Sequence, residues 1–148
     1  MATNNPFNKN IVITGPPPPN PSFPKTIILD PFAESVNQYA LDYADFTSLE
    51  TTYIIANTTT IGSALTIYVP VLPNVITEPK KISFINMGVD IVQIENATGA
   101  AINWDTSYII NLDPYAAPPV SGTVSSVTLI PYTQVTPSWY TLYNYYNL

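Results

Sequence analysis

Ten carboxylates and four lysines are the only charged side chains in 148 residues, so their spacing decides what chemistry the chain can attempt. Asp42 and Asp45 stand three apart and could share one helical face, as a paired-carboxylate acid–base site would require. No neighbouring acid or base is placed to drive their pKa values apart, and a solvated helix end accounts for them better. Asp90, Glu95 and Asp105 flank turns and offer oxygen ligands of the kind Ca²⁺ takes, yet no D-x-D-x-D-G loop holds them. Lys80-Lys81 follows Pro79 and suits a solvated strand edge that discourages mispairing. Asn57-Thr58-Thr59 and Asn96-Ala97-Thr98 match the glycosylation sequon, a match expected by chance where Asn and Thr are so common. The five glycines are scattered singly and build no phosphate-cradling loop.

Three residue types are missing altogether: histidine, cysteine and arginine. Histidine is the usual general base near neutral pH, and cysteine thiolate is the strongest common nucleophile. Both are leading metal ligands, and arginine is the planar clamp for phosphate and carboxylate. Without them the chain is expected to be no enzyme and to hold no cofactor or metal. A hydrolase working through Asp or Glu alone would lack its partner base. Nucleic acid is an unfavourable partner too, because the net charge is −6 and no basic residue follows Lys81. Met1 to Asn10 lacks the apolar stretch of a secretory signal, and no run approaches the roughly 18 apolar residues of a membrane span.

The palette that remains builds surfaces. Hydrophobic residues reach 46% while charged residues are 9%, against roughly 25% in ordinary soluble domains. A surface with so little charge, rich in Thr, Asn and Tyr, is what a permanent interface looks like.

Composition divides the chain in three. Residues 1–25 hold seven of the sixteen prolines, with Pro16, Pro17, Pro18 and Pro19 consecutive. Such a run has no backbone donors and favours extended polyproline II, which fits either a disordered, solvated tail or, as expected here, an extended, proline-rich attachment arm that becomes ordered on another subunit. Ahead of the prolines, Asn10-Ile11-Val12-Ile13-Thr14 could form one short strand that would need another sheet's edge to pair with. Residues 26–50 read as a connecting segment. There Asp30-Pro31 caps a start and Phe32, Val36, Tyr39 and Tyr43 recur at helical spacing, which allows a short helix over Phe32–Tyr43.

Residues 51–148 carry β signals. Tyr53–Ala56, Ala64–Val69, Lys81–Ile85, Asp90–Ile94, Tyr108–Ile110, Val124–Ile130 and Trp139–Tyr143 are β-branched or aromatic runs separated by turn residues. Leu65, Ile67 and Val69 share one face, and Asn86-Met87-Gly88-Val89 reads as the turn of a hairpin. No repeat of 20–50 residues is apparent. The fold expected is all-β, an antiparallel β-sandwich or jelly-roll-like barrel.

The order Leu65-Thr66-Ile67-Tyr68-Val69-Pro70, Lys81-Ile82-Ser83-Phe84-Ile85-Asn86-Met87-Gly88, Gly99-Ala100-Ala101-Ile102-Asn103-Trp104, Ser126 to Tyr132 and Trp139-Tyr140 resembles a known group. It is similar to the small β-sandwich domains of phage and other viral fibre, spike and head-decoration proteins, many of them trimers. The resemblance spans Thr51–Tyr143; Glu78-Pro79 stands where such domains often have glycine. It implies a virion structural protein, made in the host cytoplasm, that self-associates as a homotrimer. Capsid or other virion proteins would be met through Ile11, Val12, Ile13 and Pro16 to Pro19.

The C-terminus adds Trp139, Tyr140, Tyr143, Tyr145 and Tyr146, five aromatics in eight residues, as the expected oligomer interface. Trp139 also suits a core strand. The alternative reading is a module that binds a host receptor or glycan through Tyr- and Trp-rich loops.

Overall fold

A computed structural model describes residues 23–58, 64–97, 109–115, 124–132 and 138–145. Alternation sets the strands. In β3 (Glu50–Ile55), β4 (Leu65–Val69), β5 (Lys81–Asn86) and β6 (Val92–Asn96) every second side chain is buried. The same holds in β7 (Ile109–Leu112) and through most of β8 (Val124–Tyr132), and β9 (Ser138–Tyr145) follows. These β-branched and aromatic residues fit a pleated, half-buried surface, and each runs into the turn residues that bound it in the sequence.

Residues 26–50 do more than connect. They supply most of β1 (Lys25–Leu29), all of β2 (Gln38–Ala40), and Leu29 and Phe46 of the core. The helix allowed over Phe32–Tyr43 is corrected to α1, Pro31–Glu34. Asp30 caps it, its Oδ1 accepting from Ala33 N–H at 3.0 Å, and Pro31 opens it without losing a donor. Ser35 ends it in the left-handed region at φ 57°. Asp42 is likewise a cap: it accepts from Ala44 N–H at 3.0 Å and starts a single 3₁₀ turn, Tyr43–Asp45.

Pairing direction departs from the antiparallel expectation. Two sheets form, one in the order β1-β3-β5-β8-β9 and the other β2-β4-β6-β7. Among the described residues β1–β3, β2–β4, β3–β5 and β4–β6 pair in parallel, and only β5–β8, β6–β7 and β8–β9 are antiparallel. The chain alternates between sheets from β1 to β6, so each of β1 to β4 pairs with the strand two places on. The result is three stacked two-strand coils. Lys25 faces Thr51 26 residues on, Gln38 faces Thr66 28 on, Thr51 faces Ile82 31 on, and Leu65 faces Val92 27 on. A structural repeat therefore exists where the sequence shows no repeated motif. It follows that Asn86–Val89 is no hairpin turn: it carries the chain from β5 in one sheet to β6 in the other.

The core lies between the sheets. Tyr53, Ile55, Phe84 and Leu129 from the first sheet meet Leu65, Ile67, Ile94 and Leu112 from the second in one cluster. Full burial of each aliphatic side chain contributes roughly 1.5–3 kcal/mol.

Candidate interaction surface

The face of the first sheet turned away from the core is built by the other half of each alternation. The register sets Thr26, Thr52, Ser83, Thr128 and Leu142 in one row across all five strands. Beside it runs a second row, Ile28, Ile54, Ile85 and Ser126. Ile130 and Tyr140 pair next to the first row. Ser83 Oγ and Thr128 Oγ1 lie 2.9 Å apart and share a hydrogen bond, so that the polar row is partly satisfied from within.

Charge is confined to one end, where Lys81 Nζ meets Glu50 Oε1 at 2.7 Å. The other described side chains on the face are hydroxyl and hydrocarbon. Its rim is open: Ile28 is 66% exposed, Leu142 45% and Tyr140 41%. The second sheet's outer face differs, presenting Gln38, Thr66, Gln93 and Asn111 in one row, with Gln93 Nε2 donating to Asn111 Oδ1 at 3.3 Å.

The aromatic residues expected at an interface separate. Tyr140 is on the exposed face, whereas Trp139, one residue earlier, points into the core and is only 1% exposed. The interface role expected of Trp139 is therefore corrected. Its indole N–H donates to the Pro70 carbonyl at 2.9 Å, and its ring lies 6.2 Å from that of Tyr43. From Tyr43 the contacts continue to Phe46 (5.9 Å), Tyr53 (6.5 Å) and Phe84 (5.4 Å, stacked). The Tyr43 hydroxyl donates to the Glu78 carbonyl at 2.8 Å, which ties the segment between β4 and β5 to the core edge. Burial pushes the Tyr43 hydroxyl above its ordinary pKa, against a lowering by the Lys80 N–H. Tyr143 and Tyr145 lie in β9, paired with Val127 and Val124. Tyr146 lies outside the described residues, as do Ile11, Val12, Ile13, Pro16, Pro17, Pro18 and Pro19.

The lysine pair is not an edge device. Lys81 begins β5, the central strand of its sheet, and Lys80 Nζ sits 5.0 Å from the Tyr43 ring centroid. Thr58 of the first sequon is wholly buried, its Oγ1 accepting from Val89 N–H (3.0 Å) and Asp90 N–H (2.9 Å). Asn86 completes that crossing. It donates to the Asp90 and Leu112 carbonyls and accepts from Gly88 N–H, so one buried amide pins β5 to β7 of the other sheet. Nothing in the sequence marked Asn86 or Thr58 as more than turn residues.

Among the described residues no three carboxylates, histidines or cysteines gather where a metal ion could sit, and Asp105 lies outside them. No described helix is long and apolar enough to cross a membrane. The chain matches no protein-family model, and no curated protein or solved structure shows significant similarity to it.

Proposed function

We propose that this chain is a structural component of a virus particle, a head fibre, decoration or minor capsid protein with no enzymatic role. It self-associates, as a trimer, through the outer face of the first sheet, and residues 1–25 attach it to the particle. One observation carries the assembly reading. A five-stranded face whose described side chains are mainly Thr, Ser, Ile and Tyr, with charge among them only at the Glu50–Lys81 end, belongs to a chain with 9% charged residues. Such rows lose less on desolvation where hydroxyls bond laterally, as Ser83 and Thr128 do, and the isoleucines gain from leaving water. The viral setting is supported by the sequence resemblance over Thr51–Tyr143.

Purified particles of the candidate virus, digested and quantified by mass spectrometry, test the reading. The chain should be present at a fixed copy number relative to the major capsid protein, and its absence would overturn the assignment. A chain lacking Met1–Pro24 should keep its β circular dichroism yet fail to co-purify with capsids. A receptor- or glycan-binding role is favoured by one observation, the exposed Tyr140 on the face that carries the Glu50–Lys81 pair. It would appear as glycan-array signals lost in Tyr140→Ala.

A further inference from the structure

One patch meeting its own copy cannot close a three-fold ring. A surface that pairs with itself builds a two-fold dimer, whereas a cyclic trimer joins two different patches of each chain. The outer face of the first sheet is one such patch, so a trimer requires a second. Its position matters as well. Patches on opposite sides of a domain stack copies into an open filament, while patches on adjoining sides turn successive copies and close a small ring.

The crossing from β5 to β6, residues 87–91, adjoins that face. β1, β3 and β5 run parallel and end side by side, and their ladder continues one residue past the strands. Ala56 N–H donates to the Leu29 carbonyl and Met87 N–H to the Ile55 carbonyl, each at 2.9 Å. The isoleucine row, Ile28, Ile54 and Ile85, is therefore the last row of the face before the end of the sandwich, and Met87 follows Ile85 two residues on. Along the crossing Met87 (45% exposed), Val89 (65%) and Ile91 (43%) are open to solvent. Gly88 between them is buried, and Asp90, the crossing's one charged residue, is half-buried. α1 stands close by: Phe32, 51% exposed, donates its N–H to the carbonyl of Asn57, the neighbour of Thr58. Apolar side chains exposed singly are ordinary, but a run of them continuous with an isoleucine row marks a contact surface.

The backbone beneath these side chains is fixed from inside. Thr58 Oγ1 accepts from Val89 and Asp90 N–H, and Asn86 Nδ2 donates to the Asp90 carbonyl at 2.8 Å and the Leu112 carbonyl at 3.0 Å. Polar groups thus set the shape of the crossing, which does not depend on Met87, Val89 or Ile91 packing inward. A surface held in shape before contact loses less entropy on binding. The opposite end of the sandwich differs. Val71 (49%) and Val75 (76%) are exposed there too. Among the described residues, however, every lysine lies at that end: Lys25 and Lys81 begin β1 and β5, and Lys80 N–H reaches the Tyr43 hydroxyl. Glu50, Glu78, Asp42 and Asp45 share it. Burying that end would desolvate many charges. At the crossing end Asp30 and Asp113 instead hold the backbone N–H groups of Ala33 and Val124, and Glu34 stands on α1, off the crossing.

We infer that Met87, Val89 and Ile91 of one copy seat on the Thr and Ile rows of the next copy's first sheet, so that copies join head to tail and close as a trimer. This rests on the reading that the outer face of the first sheet carries self-association, and it supplies the surface which that face meets. The isoleucine row takes the dry centre of the contact, and the Glu50–Lys81 pair falls at its charged rim. The partner is a second copy because the crossing prolongs the face already given that role. In addition, neither the isoleucine row nor the exposed crossing residues carry a charge that would select a different protein.

Two differently tagged full-length variants test this: Val89→Lys/Ile91→Lys alters the crossing, and Ile28→Lys/Leu142→Lys alters the face. Each alone should fall from the trimer's mass to the single chain's in light scattering at micromolar concentration, with its β circular dichroism unchanged. Val71→Lys/Val75→Lys, at the opposite end, should keep the trimer's mass. Should lysine disturb the fold of the crossing, Val89→Ser/Ile91→Ser replaces it and should dissociate at a higher concentration than the unaltered chain. Mixing the crossing and face variants restores one intact contact, between the crossing of the second and the face of the first. Amine cross-linking should then capture a pair holding one of each tag and nothing larger, while neither variant pairs with itself. A crossing variant that keeps the trimer's mass while the face variant dissociates overturns this inference alone, and does so equally if that variant no longer co-purifies with capsids, which would give the crossing to another protein. Two dissociated variants that form no mixed pair indicate a face that meets itself, and also overturn it. An unaltered chain that is monomeric overturns both this inference and the self-association on which it rests.

Discussion

The Trp139 indole N–H donates to the Pro70 carbonyl 2.9 Å away, joining the last strand to the residue that follows β4. The two are 69 positions apart in the chain. Trp139 is thereby committed to the interior, and Tyr140, its neighbour, to the outside. Truncating Trp139 to Ala should cost about 3–5 kcal/mol in urea unfolding, the range for a large buried aromatic. Trp139→Phe should cost less, about 1–3 kcal/mol, chiefly by leaving the Pro70 carbonyl unpaired. Neither change should alter the oligomeric order of the chains that remain folded, which separates a core role from an interface one.

A second pair, Thr58 and Gly88, sets the crossing from β5 to β6. A Cβ on Gly88 would come within 2.5 Å of Thr58 Oγ1 and 2.7 Å of Thr58 Cγ2. The Thr58 side chain cannot give way freely, because Oγ1 holds two backbone N–H groups. Gly88→Ala should therefore cost about 1–3 kcal/mol by overpacking. Thr58→Ala should cost a similar amount by orphaning the Val89 and Asp90 N–H groups. The double variant should be less destabilised than the two changes added, since the methyl introduced at position 88 enters space that the threonine side chain has left. A double-mutant cycle by chemical denaturation measures this coupling, and strict additivity would contradict it.

The seven runs from Tyr53 onward were legible because burial alternates along them with period two, and their β-branched residues leave little choice. β1 and β2 were not. Gln38-Tyr39-Ala40 has neither length nor a β-branched residue, and in β1 only Leu29 is buried. Pairing direction was hidden for another reason: it depends on which sheet each strand joins. Asn86–Val89 has the composition of a hairpin turn yet spans two sheets, because Asn86 bonds onward to Leu112 rather than closing a ladder with β6. The repeat escaped notice since its equivalent positions share only inside or outside, as Tyr39, Ile67 and Ile94 do. On the surface, the aromatic run at the C-terminus signalled contact area, but residue types alone could not say that Trp139 faces inward.

Stability should respond to alkali. Tyr43 and Tyr53 are both raised above the ordinary value of 10.0, in each case first by burial, and Tyr39 is raised by burial and then by Glu34. In the unfolded chain these phenols ionise near pH 10, while the folded chain retains their protons. Above that pH the unfolded state binds fewer protons, so unfolding becomes more favourable as pH rises. Their contribution is complete below pH 10 and declines through the folded values. Urea midpoints measured from pH 8 upward should begin to fall near pH 10, and the tyrosinate absorbance of these three among the chain's eleven tyrosines should appear only with loss of β circular dichroism. Between pH 6 and 8 the midpoint should stay flat, because the chain has no histidine to titrate there.

The outer face of the first sheet makes the sharpest distinction between surface and core. Ile28 and Leu142 are open to solvent near opposite edges of that face, and both lie in the rows that the register builds across β3, β5 and β8. Lysine at either position meets no packed neighbour in the single chain, so its effect on intrinsic stability should stay within about 0.5 kcal/mol. In an assembled oligomer the same lysines would be buried without an acid to pair with, because among the described residues the one carboxylate on the face, Glu50, already holds Lys81 at 2.7 Å. Ile28→Lys/Leu142→Lys should therefore lower the mass seen by light scattering at micromolar concentration while leaving the β circular dichroism spectrum unchanged. The equivalent charges on the second sheet, Thr66→Lys/Asn111→Lys, should leave the oligomer intact, since that face is already polar. If both pairs behave alike, the contact does not lie on the Thr, Ser and Ile rows, and the low charge of the chain has another origin.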